Sequence, residues 1–163
     1  MKIIIICLII FSGAYSQELG LIIGRPTGIS YRNRITSSTA LDFQMGYDFE
    51  KSFFDIHGAY LFSQRSDINI EGYYLPFYFG PGGRIKYEND GIALGVKVPF
   101  GLYYKFRNLP FSTAFELGPC LNFGKKTSWN IVGGLSFRYI FGEMSPRRTD
   151  SSAETEPARR ERR

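Results

Sequence analysis

His57 is the only histidine in the chain, and Asp55 stands two residues before it. Residues i and i+2 of a strand share a face, so this carboxylate could orient the imidazole for general-base work. A single histidine beside an acid is more often a satisfied interior pair than a catalytic one. Asp48 and Asp55 flank Glu50-Lys51-Ser52 and would approach each other across a hairpin tip. Two carboxylates could hold Ca²⁺ weakly, but two rim carboxylates in water are the plainer reading. The chain has no cluster of His and Cys with metal-ligand spacing. No helical segment follows Gly82-Gly83 to cradle a phosphate. The expectation is a non-enzymatic protein with no catalytic residue, no cofactor and no metal.

The elements that would hold these residues are strands. Leu41, Phe43, Met45, Tyr47 and Phe49 alternate with Asp42, Gln44, Gly46 and Asp48. Phe54, Ile56, Gly58, Tyr60 and Phe62 alternate with Asp55, His57, Ala59 and Leu61. The same period of two runs through Ile92–Phe106, Phe111–Phe123 and Trp129–Phe141. Such repetition marks half-buried strands. Leu19–Gly24 and Ile29–Ile35 flank a turn signal, Arg25-Pro26-Thr27-Gly28. Tyr73–Tyr87 adds a strand interrupted by Pro76 and Pro81. The total is eight, an even number with short connections. This predicts an all-β, eight-stranded antiparallel up-and-down barrel. Bulges or strand ends are expected at Pro76, Pro81, Pro99 and Pro119, with Pro81-Gly82-Gly83 the foremost bulge.

The two ends read differently. Lys2, the apolar run Ile3–Phe11, and the small residues Ala14 and Ser16 compose a signal peptide over residues 1–16, with cleavage before Gln17. The nine-residue run is too short for a spanning helix, which needs roughly 20 residues. Cys7 falls within that leader, so Cys120 is the one cysteine left and no internal disulfide is possible. Residues 17–142 form the barrel. The tail, 143–163, has no Phe, Tyr, Trp, Leu, Ile or Val, while eleven of its 21 residues are charged. A segment of that composition cannot bury enough apolar surface to order itself. Its closing arginines could touch anionic headgroups.

Alternation leaves open which face is inside, and the polar face decides it. That face is rich in Gly, Ala and Ser with charges spaced apart, which suits a narrow lumen rather than a wetted surface. The apolar face carries no charge and is aromatic near the strand ends, as in membrane barrels. The barrel is therefore expected to be transmembrane, with Phe43, Phe77, Val96, Phe115 and Phe137 facing lipid. A lumen charge network would comprise Arg32, Arg34, Asp42, Gln44, His57, Arg84, Lys97, Glu116 and Arg138, with further bases at Lys86, Lys105 and Arg107. A turn centred near Ser37 and Ser38 would set Arg34 opposite Asp42 and Arg32 opposite Gln44. A turn between Lys125 and Ser128 would set Glu116 against Arg138. The net charge of +5 is not gathered with exposed aromatics, so nucleic acid is not an expected partner.

From Glu18 to Phe141 the chain resembles the small eight-stranded outer-membrane barrels of bacteria, and in particular a short-looped family of unassigned function. The carrying stretches are GLIIGRPTGIS from Gly20, SSTALDFQMGYDF from Ser37, FGPGGRIKYEND from Phe79, GVKVPFGLYYKF from Gly95 and GGLSFRYIF from Gly133. Gly134, Phe137 and Tyr139 resemble the closing strand read by outer-membrane assembly machinery. Val132 departs from that pattern, and 22 residues follow Phe141. The resemblance implies a monomer in the cell outer membrane whose partners are membrane lipid, the barrel assembly machinery and an extracellular macromolecule. The corresponding role is structural, surface contact or binding. A narrow pore, a soluble lipocalin-like carrier of an apolar ligand and a lipid A-modifying enzyme are the alternatives. Related barrels that modify lipid A carry a serine two residues after a histidine, and Ala59 breaks that pattern here. Both termini would be periplasmic, with outer turns near 25–28, 50–52, 88–91 and 125–128 and inner turns near 36–39, 63–72 and 108–110.

Overall fold

The computed structural model describes residues 16–49, 52–64, 69–70, 73–88, 91–124 and 127–141. The stretches expected as a leader (apart from Ser16) and as a tail, and the expected tip at Glu50-Lys51, lie outside the described residues. The strands are β1 (Ser16–Arg25), β2 (Thr27–Arg34), β3 (Thr39–Asp48), β4 (Phe53–Gln64), β5 (Asn69–Ile70), β6 (Tyr73–Tyr74), β7 (Phe77–Phe79), β8 (Gly82–Glu88), β9 (Gly91–Lys97), β10 (Phe100–Lys105), β11 (Phe111–Phe123) and β12 (Ser128–Phe141). β5 and β6 pair only with each other, so the expected simple turn over 63–72 carries a small hairpin instead.

The other ten form one antiparallel sheet that closes on itself, because β1 pairs with both β2 and β12. β7 and β8 both pair with β4, and β9 and β10 both pair with β11. Each of these two couples is one interrupted strand, so the ring has eight walls. Successive walls are neighbours throughout, in an up-and-down order.

The interruptions are not the expected bulges. Ala59 pairs with Gly82 and Phe62 with Phe79, so two residues stand opposite two across the break at Gly80-Pro81. The break at Val98-Pro99 behaves alike, between the pairs Cys120–Lys97 and Leu117–Phe100. A bulge would set two residues against one. Each proline removes a ladder donor without shifting register, and Tyr60 N still donates to Pro81 O at 2.9 Å. Gly82 and Gly83 are paired residues of β8, Pro119 lies inside β11, and Pro76 precedes β7 while accepting from Tyr103 N. Pro81, Pro99 and Pro119 nevertheless fall on neighbouring strands at one level, forming a seam.

Constant register also fixes the stagger of the ring. The partners of Glu18 run through Arg32, Asp42, Ala59, Gly82, Lys97 and Cys120 to Asn130 on β12. Glu18 itself pairs with Ile140, ten residues further along β12. At a ~3.3 Å rise and ~4.8 Å strand spacing, that stagger over eight strands gives a tilt of roughly 40°. Such a narrow ring bends its strands sharply. A Cβ at Gly20 would strike the Phe137 carbonyl oxygen, and one at Gly134 that of Ile23, so only glycine allows this approach of β1 and β12.

Candidate functional site

With no bulge, strand parity holds from end to end, and the two faces of the ring differ in chemistry. Outward positions carry Leu21, Phe43, Val96, Phe115, Leu135 and Phe137, all at least 40% exposed. Phe77 also lies outward, half-buried beside Phe79 and Phe100. Among the described residues, no Lys, Arg, Asp or Glu lies outward within a strand except Arg25, at the end of β1. Inside, Glu18, Asp42, Asp48, Asp55 and Glu116 face Arg32, Arg84, Lys97 and Arg138, all buried. Five carboxylates and four bases are buried there, while Arg34, Lys86 and Lys105 share the inward parity and are half-buried or exposed. Glu18 joins the interior set that alternation had outlined.

The interior is organised around three carboxylate groups. Near the turns at 35–38 and 106–110, Glu18 accepts from Arg34 Nε at 3.2 Å, Tyr103 OH at 2.9 Å and Ser112 Oγ at 2.7 Å. The Arg34 guanidinium lies over the Tyr103 ring at 4.4 Å. Ala40, Ala59, Leu61, Tyr78, Tyr103 and Ala114 pack together as a small apolar layer on this side.

Deeper in, Asp42 accepts from Arg32 Nε at 2.7 Å, Arg138 Nη2 at 3.2 Å and Gln44 Nε2 at 3.0 Å. Arg138 Nε donates to Ser30 Oγ at 2.8 Å, and Arg32 stacks over the Tyr78 ring at 4.4 Å. The register corrects all three expected pairings, and Gln44 faces Ser30 rather than Arg32. Arg32, not Arg34, is opposite Asp42, while Arg34 faces Ala40 and reaches Glu18. Glu116 is opposite Gly134, and Arg138 opposite Ser112, so Glu116 and Arg138 are not partners.

The third group is a chain of side chains across four walls. Glu116 accepts from Lys97 Nζ at 3.0 Å, Gln44 Nε2 at 3.2 Å and Tyr78 OH at 3.2 Å. Lys97 Nζ also lies 3.0 Å from His57 Nδ1. An ammonium has no acceptor, so Nδ1 accepts and the ring proton belongs on Nε2. Asp55 Oδ2 is 3.0 Å from Nε2 but off the line of its N–H, a charge contact rather than an aligned hydrogen bond. Arg84 holds Asp55 through Nε at 2.9 Å and Nη2 at 2.6 Å, and reaches Asn122 Oδ1 at 3.1 Å. At the mouth, Lys86 Nζ lies 4.1 Å from the Phe53 ring centroid and Arg25 Nε 3.7 Å from Asp48.

His57 Nδ1 thus accepts from Lys97 while Nε2 faces the Asp55 carboxylate, and the whole ring is buried. Asp48 and Asp55 do not converge on one point: each faces its own arginine. No group of three or more His, Cys, Asp or Glu suited to a metal occurs among the described residues. Arg32 Nη2, Arg138 Nη1 and Gln44 Oε1 are buried without a protein hydrogen-bond partner, so polar capacity remains near Asp42.

Parity could have found Glu18, which shares a face with Gly20 and Ile22, but it precedes the stretch whose alternation is clean. Tyr78 sits between Pro76 and Pro81, where alternation is too short to read. No helix among the described residues is long and apolar enough to cross a membrane, which does not bear on strands. No family model, curated protein or solved structure matches the chain.

Proposed function

We propose that the protein is an integral outer-membrane β-barrel with a filled interior, acting as a structural, surface-contact or binding component rather than as an enzyme. The observation that carries this reading is the inverted polarity of the ring. A soluble barrel that carries an apolar ligand needs an apolar interior and a charged surface. This ring has ion pairs inside and a belt of large apolar residues outside. Exposed apolar area on that scale is a liability in water and a requirement in hydrocarbon. Strands of 10 residues such as β1 and β3, tilted by roughly 40°, rise roughly 25 Å, the thickness spanning barrels present. Arg32 and Arg138 are buried inside on Asp42, and Tyr78 and Lys97 on Glu116, which argues against a pore.

Membrane fractionation with a heat-modifiable gel shift tests location and folding together. The chain is expected in the outer-membrane fraction, migrating faster before boiling than after it. Recovery in the soluble fraction without detergent would favour the carrier reading. Planar-bilayer recordings should give no steady conductance. Val96, outward and mid-wall, supplies the sharper test: Val96→Arg should cost roughly 2–4 kcal/mol of stability in lipid. An arginine tolerated there without loss would contradict a hydrocarbon environment for that face.

A further inference from the structure

We propose that the segment from Pro76 to Pro81, centred on β7, is a strap that opens on its own while the rest of the barrel stays closed, with Tyr78 as its latch. β7 has three residues, where every other strand of the closed sheet has six or more. It pairs over three residues with β4 and over three with β10. Before it the chain has left the sheet, because β6 pairs only with β5. After it comes Gly80-Pro81, the break that precedes β8. One end of the strap therefore continues the wall, and the other leads out of it.

Prolines thin the ladder on both sides of this segment. Tyr103 N donates to Pro76 O at 2.9 Å, Tyr60 N to Pro81 O at 2.9 Å, and Gly80 N to Pro99 O at 3.3 Å. In an antiparallel ladder each such pair would exchange a second bond. Proline has no N–H to return it, so the carbonyls of Tyr103, Tyr60 and Gly80 receive none from these partners. Between Pro76 and Pro81 only four residues carry a backbone N–H. Elements held by few backbone bonds open ahead of the global unfolding of a protein.

Side chains supply what the ladder lacks, and the two faces of the strap differ in how firmly they hold. Outside, Phe77 lies against Phe100, and Phe79 against Phe62. Acyl chains of lipid or detergent replace such contacts when the strap lifts, so they hold it weakly. Inside, Tyr78 is the one residue of β7 that points into the barrel, and it is buried. Its hydroxyl donates to Glu116 Oε2 at 3.2 Å, and the Arg32 guanidinium lies 4.4 Å from its ring centroid. Its partner is Gly101, where a Cβ would collide with the phenol. Ala40, Ala59 and Ala114 share the same layer. The phenol thus fills a socket of small residues, and nothing apolar replaces its bond to a buried carboxylate. Lifting the strap withdraws Tyr78 and uncovers Arg32 and Glu116 at the side of the barrel, toward the end that carries the turns at 35–38 and 106–110.

Hydrogen exchange of the full chain in detergent micelles, read by fragment-resolved mass spectrometry, is the test. Amides of Phe77–Gly80 should exchange at least about a hundredfold faster than those of β2 and β3. Equal protection on β7 and β2 overturns the strap. Tyr78→Phe removes only the hydroxyl, and should speed exchange over 77–80 about tenfold while β2 and β3 keep their rates. A uniform increase across the barrel, or none, overturns the latch. A lock removes any dependence on that variant. Phe79→Cys with Phe100→Cys sets two thiols on directly paired outward residues, at a separation that a disulfide spans. Oxidation should slow Tyr78 and Gly80 to the rate of β2, and reduction should restore the fast exchange. Oxidised protein that exchanges over 77–80 as fast as the reduced form overturns the strap.

Discussion

Two sides of the ring solve the same problem differently. On the side of β1, β2, β3 and β12 the ladder is unbroken, and the interior charges behind it converge on one carboxylate, Asp42. On the side of β4, β7–β8 and β9–β10 the ladder crosses the seam at Pro81 and Pro99, with Pro119 beside it on β11. The charges there form a chain, Glu116–Lys97–His57–Asp55–Arg84, with no centre. Lys97 is the last residue before the break at Val98-Pro99 and joins β9 to β4 and β11 through its side chain. Side-chain bonds thus cross the walls where backbone donors have been removed. The contrast teaches that interior ion pairs carry different loads: a hub on a continuous wall, and ties across an interrupted one.

Removing the hub should have the largest effect. Asp42→Ala leaves Arg32 and Arg138 buried without their shared carboxylate, and breaking a buried pair in this way costs about 3–5 kcal/mol. Urea unfolding in detergent micelles, followed by Trp129 fluorescence and by the gel shift, would measure it. Asp42→Asn keeps an acceptor for Gln44 and should lose less. A cost for Asp42→Ala below about 1 kcal/mol would mean that the unbroken wall does not depend on its hub, and the contrast would fail.

The faces of the strands were legible in the sequence, and the partners were not. Arg32, Asp42, Gln44, Arg84, Lys97, Glu116 and Arg138 all lie inside because alternation assigns faces with a period of two, and no bulge disturbs it. Partners depend on where each hairpin turns. Placing the β2–β3 turn one residue late moves every opposite residue by two, which preserves the face and changes the pair. That is why Arg32, and not Arg34, meets Asp42. At the β11–β12 turn the displacement is two residues, which sets Glu116 opposite Gly134, four residues from Arg138. Contacts between non-adjacent walls, such as Arg138 with Asp42 or Tyr103 with Glu18, follow from the narrowness of the ring. Strand order does not contain that information until the stagger is known. The prolines were visible, but whether each would insert a residue or only delete a donor depends on pairing counts on both flanks.

The ties across the seam should show coupling, with a smaller total effect. Lys97→Met removes the cation that Glu116 and His57 share, leaving Glu116 buried with only Gln44 and Tyr78. Adding Glu116→Leu removes the orphaned charge. The double variant should therefore be more stable than Lys97→Met alone, with a coupling energy of about 1–3 kcal/mol in the double-mutant cycle. Additive losses would show that Lys97 and Glu116 act independently, and that the chain is a set of separate contacts.

The smallest effect tests the seam itself. Gly80 N donates to Pro99 O at 3.3 Å, and the two residues form the kind of pair that exchanges both hydrogen bonds. Proline cannot return the second bond, so Gly80 O lacks that ladder donor. Pro99→Ala would supply an N–H aimed at this carbonyl, a gain of about 0.5–1.5 kcal/mol. Against it stands the greater freedom of the unfolded chain once proline is lost, about 0.4–1 kcal/mol. The net change in stability should therefore stay within about 1 kcal/mol, too little to identify the seam by unfolding alone. Local hydrogen exchange separates the two terms, because only the new bond protects amides in the folded ring. Exchange at Gly80 and Val98 should slow in Pro99→Ala, while amides of β1 and β12 keep their rates. If the β1 and β12 amides changed equally, the prolines would be acting on global stability. The two sides of the ring would then not differ in how their ladders are held.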